Sequence, residues 1–491
     1  MFLAALIAAL LFGLAQTLRA SDTELWYLVT LQGEHAGWMH VRTTRDRDED
    51  ARSEERITTE VDWSLTVSRA GTTVTSRKEG RFVETTEGKP ISMWSMQDLG
   101  SSPREVHYDF GLDEITVRIT EGGRTSQSTA PLPSGEWMTP HRAGGFLTTR
   151  LLSGAESIAT RSIDVLGEIA PVTTTRELVD RDSTIEVRGK KIRASRWKTV
   201  QANLPEFAAI EHFDSQGVLV RSEVDLGGMI IVTVLADEAS AKRTGNGPEM
   251  MLSTFVTPSR TIPRPHALKK AVFDLSVIEG ELREVPATGA QSVQVIEDGR
   301  RRRLTIDVAL RHADEQMQAD RYLGESGLIN TTDAQVAELA RRAVRSAGAE
   351  PMKRAEAIRS FVQRYIRRKS LGVGLASAAE VARNREGDCT EHAVLTTAML
   401  RAEGIPARIA TGLVLVDEIA GRKSIFGYHM WSQALIDGCW VDFDATQPHR
   451  FDATHIALSV SALEDDAFLG EMTSILPLMG RLKIDVVELE Y

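Results

Sequence analysis

Gly427-Tyr428-His429-Met430-Trp431-Ser432-Gln433-Ala434-Leu435-Ile436 and Cys439-Trp440-Val441-Asp442-Phe443-Asp444 flank the dipeptide Asp437-Gly438. Asp-Gly is among the strongest two-residue hairpin signals, because a type I′ turn needs positive φ at both central residues. Pairing outward from that turn sets Ile436 opposite Cys439, Leu435 opposite Trp440 and, further along, Trp431 opposite Asp444, with His429 one diagonal step away. Opposite residues share a face of the ribbon. His429, Trp431, Gln433, Trp440, Asp442 and Asp444 are therefore predicted on one side, and Cys439 with Ile436, Ala434, Ser432, Val441 and Phe443 on the other. A diagonal pair is separated by roughly 7–8 Å between α-carbons, which a His to Asp hydrogen bond can span.

Upstream, Gly387-Asp388-Cys389-Thr390-Glu391 precedes an apolar stripe of Val394, Leu395, Ala398, Met399 and Ala402, closed by Gly404 and Pro406. Asp388 as N-cap and Glu391 three positions on form a capping box, so Cys389 falls in the first turn of a helix. Unpaired N–H groups and the positive end of the helix dipole favour thiolate there, and the same N–H groups can receive an oxyanion. The Asp388 carboxylate acts against thiolate formation unless capping absorbs its charge. A helix end thus offers a thiol, and a hairpin face offers an imidazole with a carboxylate behind it.

These segments resemble the transglutaminase-like superfamily, which joins transglutaminases with bacterial thiol peptidases of papain-like geometry. The resemblance rests on Gly387-Asp388-Cys389, the helix through Leu400-Arg401-Ala402-Glu403-Gly404-Ile405-Pro406-Ala407-Arg408, His429-Met430-Trp431, and Trp440-Val441-Asp442-Phe443-Asp444-Ala445-Thr446. It spans about Ala355 to Thr446 and implies catalytic roles for Cys389 as nucleophile, His429 as base and Asp444 as the group that orients the base. Met430 and Ala445 stand where the family usually has Ala and Pro; neither position carries a catalytic atom. Trp431 could complete an oxyanion hole, but packing beside the imidazole is its expected role.

Toward the N-terminus, Val336, Leu339, Ala340 and Val344 suit one scaffold helix, and Ile358, Phe361, Val362, Tyr365 and Ile366 a second. Ser377-Ala378-Ala379-Glu380 is another capping box, opening a short third helix. From Glu24 to Ala236 the chain reads instead as strands with period-2 alternation, as in Val61, Trp63, Leu65 and Val67, with connections at Gly33 to Gly37 and Asp214 to Gly217. Ala239 to Glu249 has linker composition, and Val272 to Val277, Ser292 to Ile296 and Leu304 to Val308 form a smaller β set around an Asp298-Gly299 turn. Arg300 to Arg303 reads as a solvated rim. The expected architecture is multidomain: a leader over 1–20, an antiparallel β meander or half-barrel over 22–245, a small β domain over 250–315, and an α+β papain-like core over 330–491.

Phe2 to Ala15 is an apolar run too short for the roughly 20 residues of a membrane span but fitted to a secretory signal. An extracytoplasmic location, periplasmic or secreted, is the expectation, with no stable membrane span beyond that signal or anchor. The 58 basic and 69 acidic residues give a formal charge of −11, which argues against a nucleic-acid protein built on a basic surface. Cys389 and Cys439 are the two cysteines. Facing opposite sides, they are read as a reactive thiol and an inert core residue rather than a disulfide. His392 is read as a helix-surface or supporting residue. His449 and His455 lack metal-ligand spacing, so neither a metal nor a cofactor is expected. The reading is an exported thiol enzyme cleaving or transferring amide bonds of a peptide or protein substrate. Its rival is an idle binding or assembly module whose β domains hold a protein or lipid.

Overall fold

The computed structural model describes residues 23–46, 55–98, 103–121, 124–226, 228–243, 245, 247–278, 282, 284–297, 300–313, 319–372, 376–419, 421–463, 475 and 478–491. The expected leader over 1–20 and the Asp298-Gly299 turn lie outside these residues. The chain forms two compact units, one running to Pro248 and one from Glu249 to Tyr491 that also takes in Arg69–Thr72. Their boundary falls within the stretch of linker composition.

The first unit is one antiparallel sheet of fourteen described strands. It starts with β1 (Thr23–Leu31), β2 (Glu34–Asp46), β3 (Arg56–Arg69) and β4 (Thr72–Thr85), passes β8 (Arg124–Pro131) and β9 (Ser157–Ser162), and ends with β13 (Leu219–Asp225) and β14 (Ile230–Ala236). Sequence neighbours lie side by side with one exception: β1 sits between β2 and β14, which leaves β8 and β9 as the edges. Alternation decides the faces. Ile57, Val61, Trp63 and Leu65 of β3 are buried while the residues between them are not, except Thr59 on the same side. The first hairpin turns at Gln32-Gly33, both at positive φ (52° and 81°), and Gly37 already belongs to β2.

Between the edge strands runs a helix that the pattern did not disclose, α1 (Pro140–Leu152). Its N-terminus is held by Glu84 of β4: Thr139 Oγ1 donates to Glu84 Oε1 at 2.5 Å and the His141 N–H to Oε2 at 3.1 Å. Burial pushes the Glu84 carboxyl up to about 7 despite those donors. A short α2 (Glu238–Ala241), capped by Asp237, closes the unit.

Among the described residues, the second unit contains two sheets and four α-helices of seven residues or more. β15 (Lys270–Val277), β16 (Gln291–Ile296) and β17 (Arg301–Asp307) are joined by β23 (Leu482–Glu490) in the order β16-β17-β15-β23. Because β23 completes this sheet, the stretch 250–315 does not stand as a compact unit by itself. Of the expected rim, Arg303 is instead engaged on the sheet, where it grips Asp274 through two bonds of 2.8 Å. β18 (His312–Ala313), β19 (Ala407–Ile419), β20 (Arg422–Ile436), β21 (Cys439–Phe443) and β22 (Ile456–Ser461) form the other sheet, ordered β18-β21-β20-β19-β22. Phe273 meets Phe426 edge-on at 5.7 Å, and one apolar core runs between the sheets.

α3 (Ala334–Val344), α4 (Pro351–Tyr365) and α5 (Ala378–Asn384) surround α6 (Cys389–Ala402). Thr390 to Arg401 are buried without interruption. A helix buried on every side lies at the centre of its unit, and α6 packs on both β19 and β20.

Candidate active site

Both capping boxes form. Ser377 and Glu380 close the start of α5, and at α6 Asp388 accepts from the Thr390 N–H (2.9 Å) while Glu391 accepts from the Asp388 N–H (2.8 Å). Gly387 has φ of +150°, and a Cβ there would lie 2.3 Å from Glu391 Cβ, so the capping box requires glycine at that position. Cys389 opens the helix with its side chain partly exposed, facing the backbone N–H of Met430 on β20. Burial pushes its thiol up and the Asp388 carboxylate adds to this, while the Met430 N–H works in the opposite direction. The resting group is therefore S–H, and thiolate forms only when a neighbouring base removes the proton.

The hairpin register is the expected one: Ile436 pairs with Cys439, Leu435 with Trp440, Gln433 with Asp442 and Ser432 with Phe443. Asp437 and Gly438 have φ of 52° and 76°, as the turn requires. His429 Nε2 lies 3.0 Å from Asp444 Oδ2. An ionised carboxylate only accepts, so Nε2 carries the hydrogen and Nδ1 is left as the basic nitrogen. Trp431 lies beside His429, rings 6.2 Å apart and 20° from parallel, and its Nε1–H is committed to Asp442 Oδ1 at 2.8 Å. It orients the strand and is not an oxyanion donor. Gln433 Nε2 also donates to Asp442 Oδ1 (2.7 Å), and the Ala290 N–H to Oδ2 (2.8 Å), which fixes the hairpin to the smaller sheet.

The sequence pattern did not disclose a second imidazole. His455 Nε2 lies 3.2 Å from the same Asp444 Oδ2, and its Nδ1 lies 3.4 Å from Asp452 Oδ1. Burial alone would lower the His455 pKa, but the two carboxylates push it up to about 10, making it an imidazolium at neutral pH. Asp444 is fully buried; burial opposes its ionisation, yet His429 and His455 hold it well below the usual carboxylate range. Its Oδ1 accepts from the Thr446 N–H at 2.7 Å. Phe451 and Trp431 flank the His455 ring at 4.4 and 5.3 Å.

Strand pairing explains how His455 arrives. Gly412 of β19 pairs with His429 on one side and Ala457 on the other, beside a register shift. A Cβ at Gly412 would sit 1.9 Å from the Ile456 carbonyl oxygen, so only glycine lets β22 approach closely enough.

One expectation narrows and another needs correction. Of the two roles expected for His392, burial excludes the helix surface and leaves the supporting one: the ring is fully buried, its Nδ1 contacts the Asp388 carbonyl at 2.6 Å, and its Nε2 has no hydrogen-bond partner among the described residues. Cys439, directly after the Asp437-Gly438 turn, is half-buried rather than a core residue. Both cysteines are free.

Residues 337–445 match the model of the transglutaminase-like superfamily, and the C-terminal part of the chain is a transglutaminase-like domain. No curated protein matches the sequence significantly. Among solved structures, a protein from Cytophaga hutchinsonii provisionally assigned as a cysteine protease is 16% identical, over 45% of this chain and 86% of its own, with a TM-score of 0.27. A β-barrel-like protein of unknown function from Brucella abortus is 12% identical over 45% of this chain and 98% of its own, with a TM-score of 0.31. A protein from Parabacteroides distasonis provisionally assigned as a protease is 10% identical over 79% and 68%, with a TM-score of 0.20.

Proposed function

We propose that the protein is a cysteine-dependent enzyme that acts on amide bonds of peptides or proteins through an acyl-enzyme, with Cys389 as nucleophile, His429 as base and Asp444 as the orienting carboxylate. The supporting observation is the pairing of His429 Nε2 with buried Asp444 at 3.0 Å on the strand whose Met430 N–H faces the Cys389 sulfur. That pairing leaves Nδ1 to take the thiol proton as sulfur attacks the carbonyl carbon. The Nδ1 proton then passes to the leaving amine as the C–N bond breaks, and water or a second amine resolves the thioester. First-turn N–H groups of α6 are placed to receive the oxyanion. Asp444 stabilises the imidazolium formed in transit, and the positive charge on His455 keeps Asp444 ionised. The apolar run at Phe2 to Ala15 supports export as the setting, where water is plentiful and hydrolysis is favoured over crosslinking.

Competitive carbamidomethylation tests the assignment, with half-exposed Cys439 as an internal standard. Both thiols are partly exposed, so without a base Cys389 would react no faster than Cys439; a thiol served by His429 should react at least tenfold faster at neutral pH, and His429→Ala should abolish that advantage. Equal or slower labelling of Cys389 in the folded protein would favour the idle binding module.

A further inference from the structure

His266 lies 186 positions from Asp452 and meets it, together with the nearby His449, at the surface of the second unit. His266 Nδ1 lies 3.0 Å from Asp452 Oδ2, and His449 Nδ1 lies 3.6 Å from the same oxygen. The imidazole rings stand 3.8 Å apart between centroids. One candidate ligand atom from each residue falls within 4.8 Å of the others. Tetrahedral zinc with bonds of about 2.0–2.1 Å separates its donors by roughly 3.3 Å, and the distances of 3.0 and 3.6 Å to Asp452 bracket that separation. The other nitrogen of His266 is bound as well: Nε2 lies 3.1 Å from Asp417 Oδ2. A carboxylate on the far nitrogen is the arrangement that fixes the ring and tautomer of a metal-ligating histidine. Asp452 is itself held rigidly, its Oδ1 accepting from the Thr454 N–H (2.9 Å) and hydroxyl (2.6 Å), with Oδ2 left toward the two rings.

We infer that His266, His449 and Asp452 form a site for one divalent transition-metal ion of the zinc class, with Asp417 orienting His266 and solvent completing the coordination. Two imidazoles and one carboxylate suit zinc, cobalt, nickel or copper and disfavour calcium and magnesium, which prefer all-oxygen shells. Solvent reaches the rings: His266 is 33% exposed and His449 25%, while Asp452 is buried, so an ion can enter without unfolding the unit. The same Asp452 carries His455, which shares Asp444 with His429, and an ion here would sit at the outer end of a chain of contacts that reaches the candidate base.

The test uses untagged full-length protein carrying Cys389→Ala and Cys439→Ala, which removes both free thiols, titrated with Co²⁺ and followed by visible absorption and equilibrium dialysis. One equivalent should bind with the intense bands of low-coordinate cobalt and be displaced by Zn²⁺. His266→Gln and His449→Gln each should weaken binding at least tenfold, and Asp417→Asn roughly ten- to a hundredfold through the lost orienting bond. These side chains are partly exposed, and urea melts would verify that the fold persists. Absence of a stoichiometric site, or binding unchanged in His266→Gln and His449→Gln, would overturn the assignment.

Discussion

Replacing Asp444 by Asn isolates the contribution of one buried carboxylate. Three donors converge on it: His429 Nε2 and His455 Nε2 on Oδ2, and the Thr446 N–H on Oδ1. An amide offers one accepting oxygen and one NH₂ group. With NH₂ toward Thr446, two donors face each other. With NH₂ toward the imidazoles, His429 must move its hydrogen to Nδ1, the atom that has to receive the Cys389 proton. Either orientation forfeits a charge-assisted hydrogen bond worth about 1.5–3 kcal/mol, which corresponds to a ten- to hundredfold slower alkylation of Cys389 and equally reduced turnover. His455 also loses one of its two anions, and breaking a buried pair in this way costs about 3–5 kcal/mol of stability. Alkylation rates of folded protein across pH, with urea melts of the same samples, measure both quantities. A variant that alkylates within threefold of the parent and melts normally would remove Asp444 from the site and refute the tautomer argument.

In the first unit, the raised Glu84 pKa makes a pH prediction. A carboxyl whose folded pKa lies above its unfolded value stabilises fully below about 4.5 and loses that contribution as pH rises through about 7, a decline of about 3 kcal/mol. The first-unit unfolding transition should show this decline in the parent and lack it in Glu84→Gln; parallel pH profiles would refute it. Arg401 donates to the carbonyls of Ala407, Gly324 and Ala462 at 2.9, 2.6 and 2.6 Å. Arg401→Met keeps helix propensity and bulk but strands two buried acceptors, the carbonyls of Ala407 and Ala462, so chemical denaturation should show a loss of at least about 2 kcal/mol; a loss below about 1 kcal/mol would contradict it.

Local physics made much of the site legible in advance. The Asp437-Gly438 turn and the period of two fix the register that brings His429 to Asp444, and two capping boxes mark where α5 and α6 begin. What escaped detection depends on distant pairing or on broken patterns. His455 reaches Asp444 because β22 closes on β19 at Gly412, after an irregular stretch with no periodicity to read. His266 and Asp452 are separated by 186 positions, so no ligand spacing could relate them. The first-unit helix α1 contains Gly144, Gly145, Thr148 and Thr149, weak helix formers that blur its stripe. The smaller sheet looked independent because its fourth strand, β23, lies far downstream.

The position of β1 between β2 and β14 also shapes how the first unit is assembled. Thr30 and Val232, neighbours across that pair, are 202 residues apart, so β1 must wait with one flank unpaired until nearly the whole unit exists. During that interval Tyr27, Val29 and Leu31, all fully buried once paired, belong to an open apolar edge able to recruit other chains. Fragments cut before Ile230 should therefore aggregate, whereas one ending at Pro248 retains its own cover for that edge.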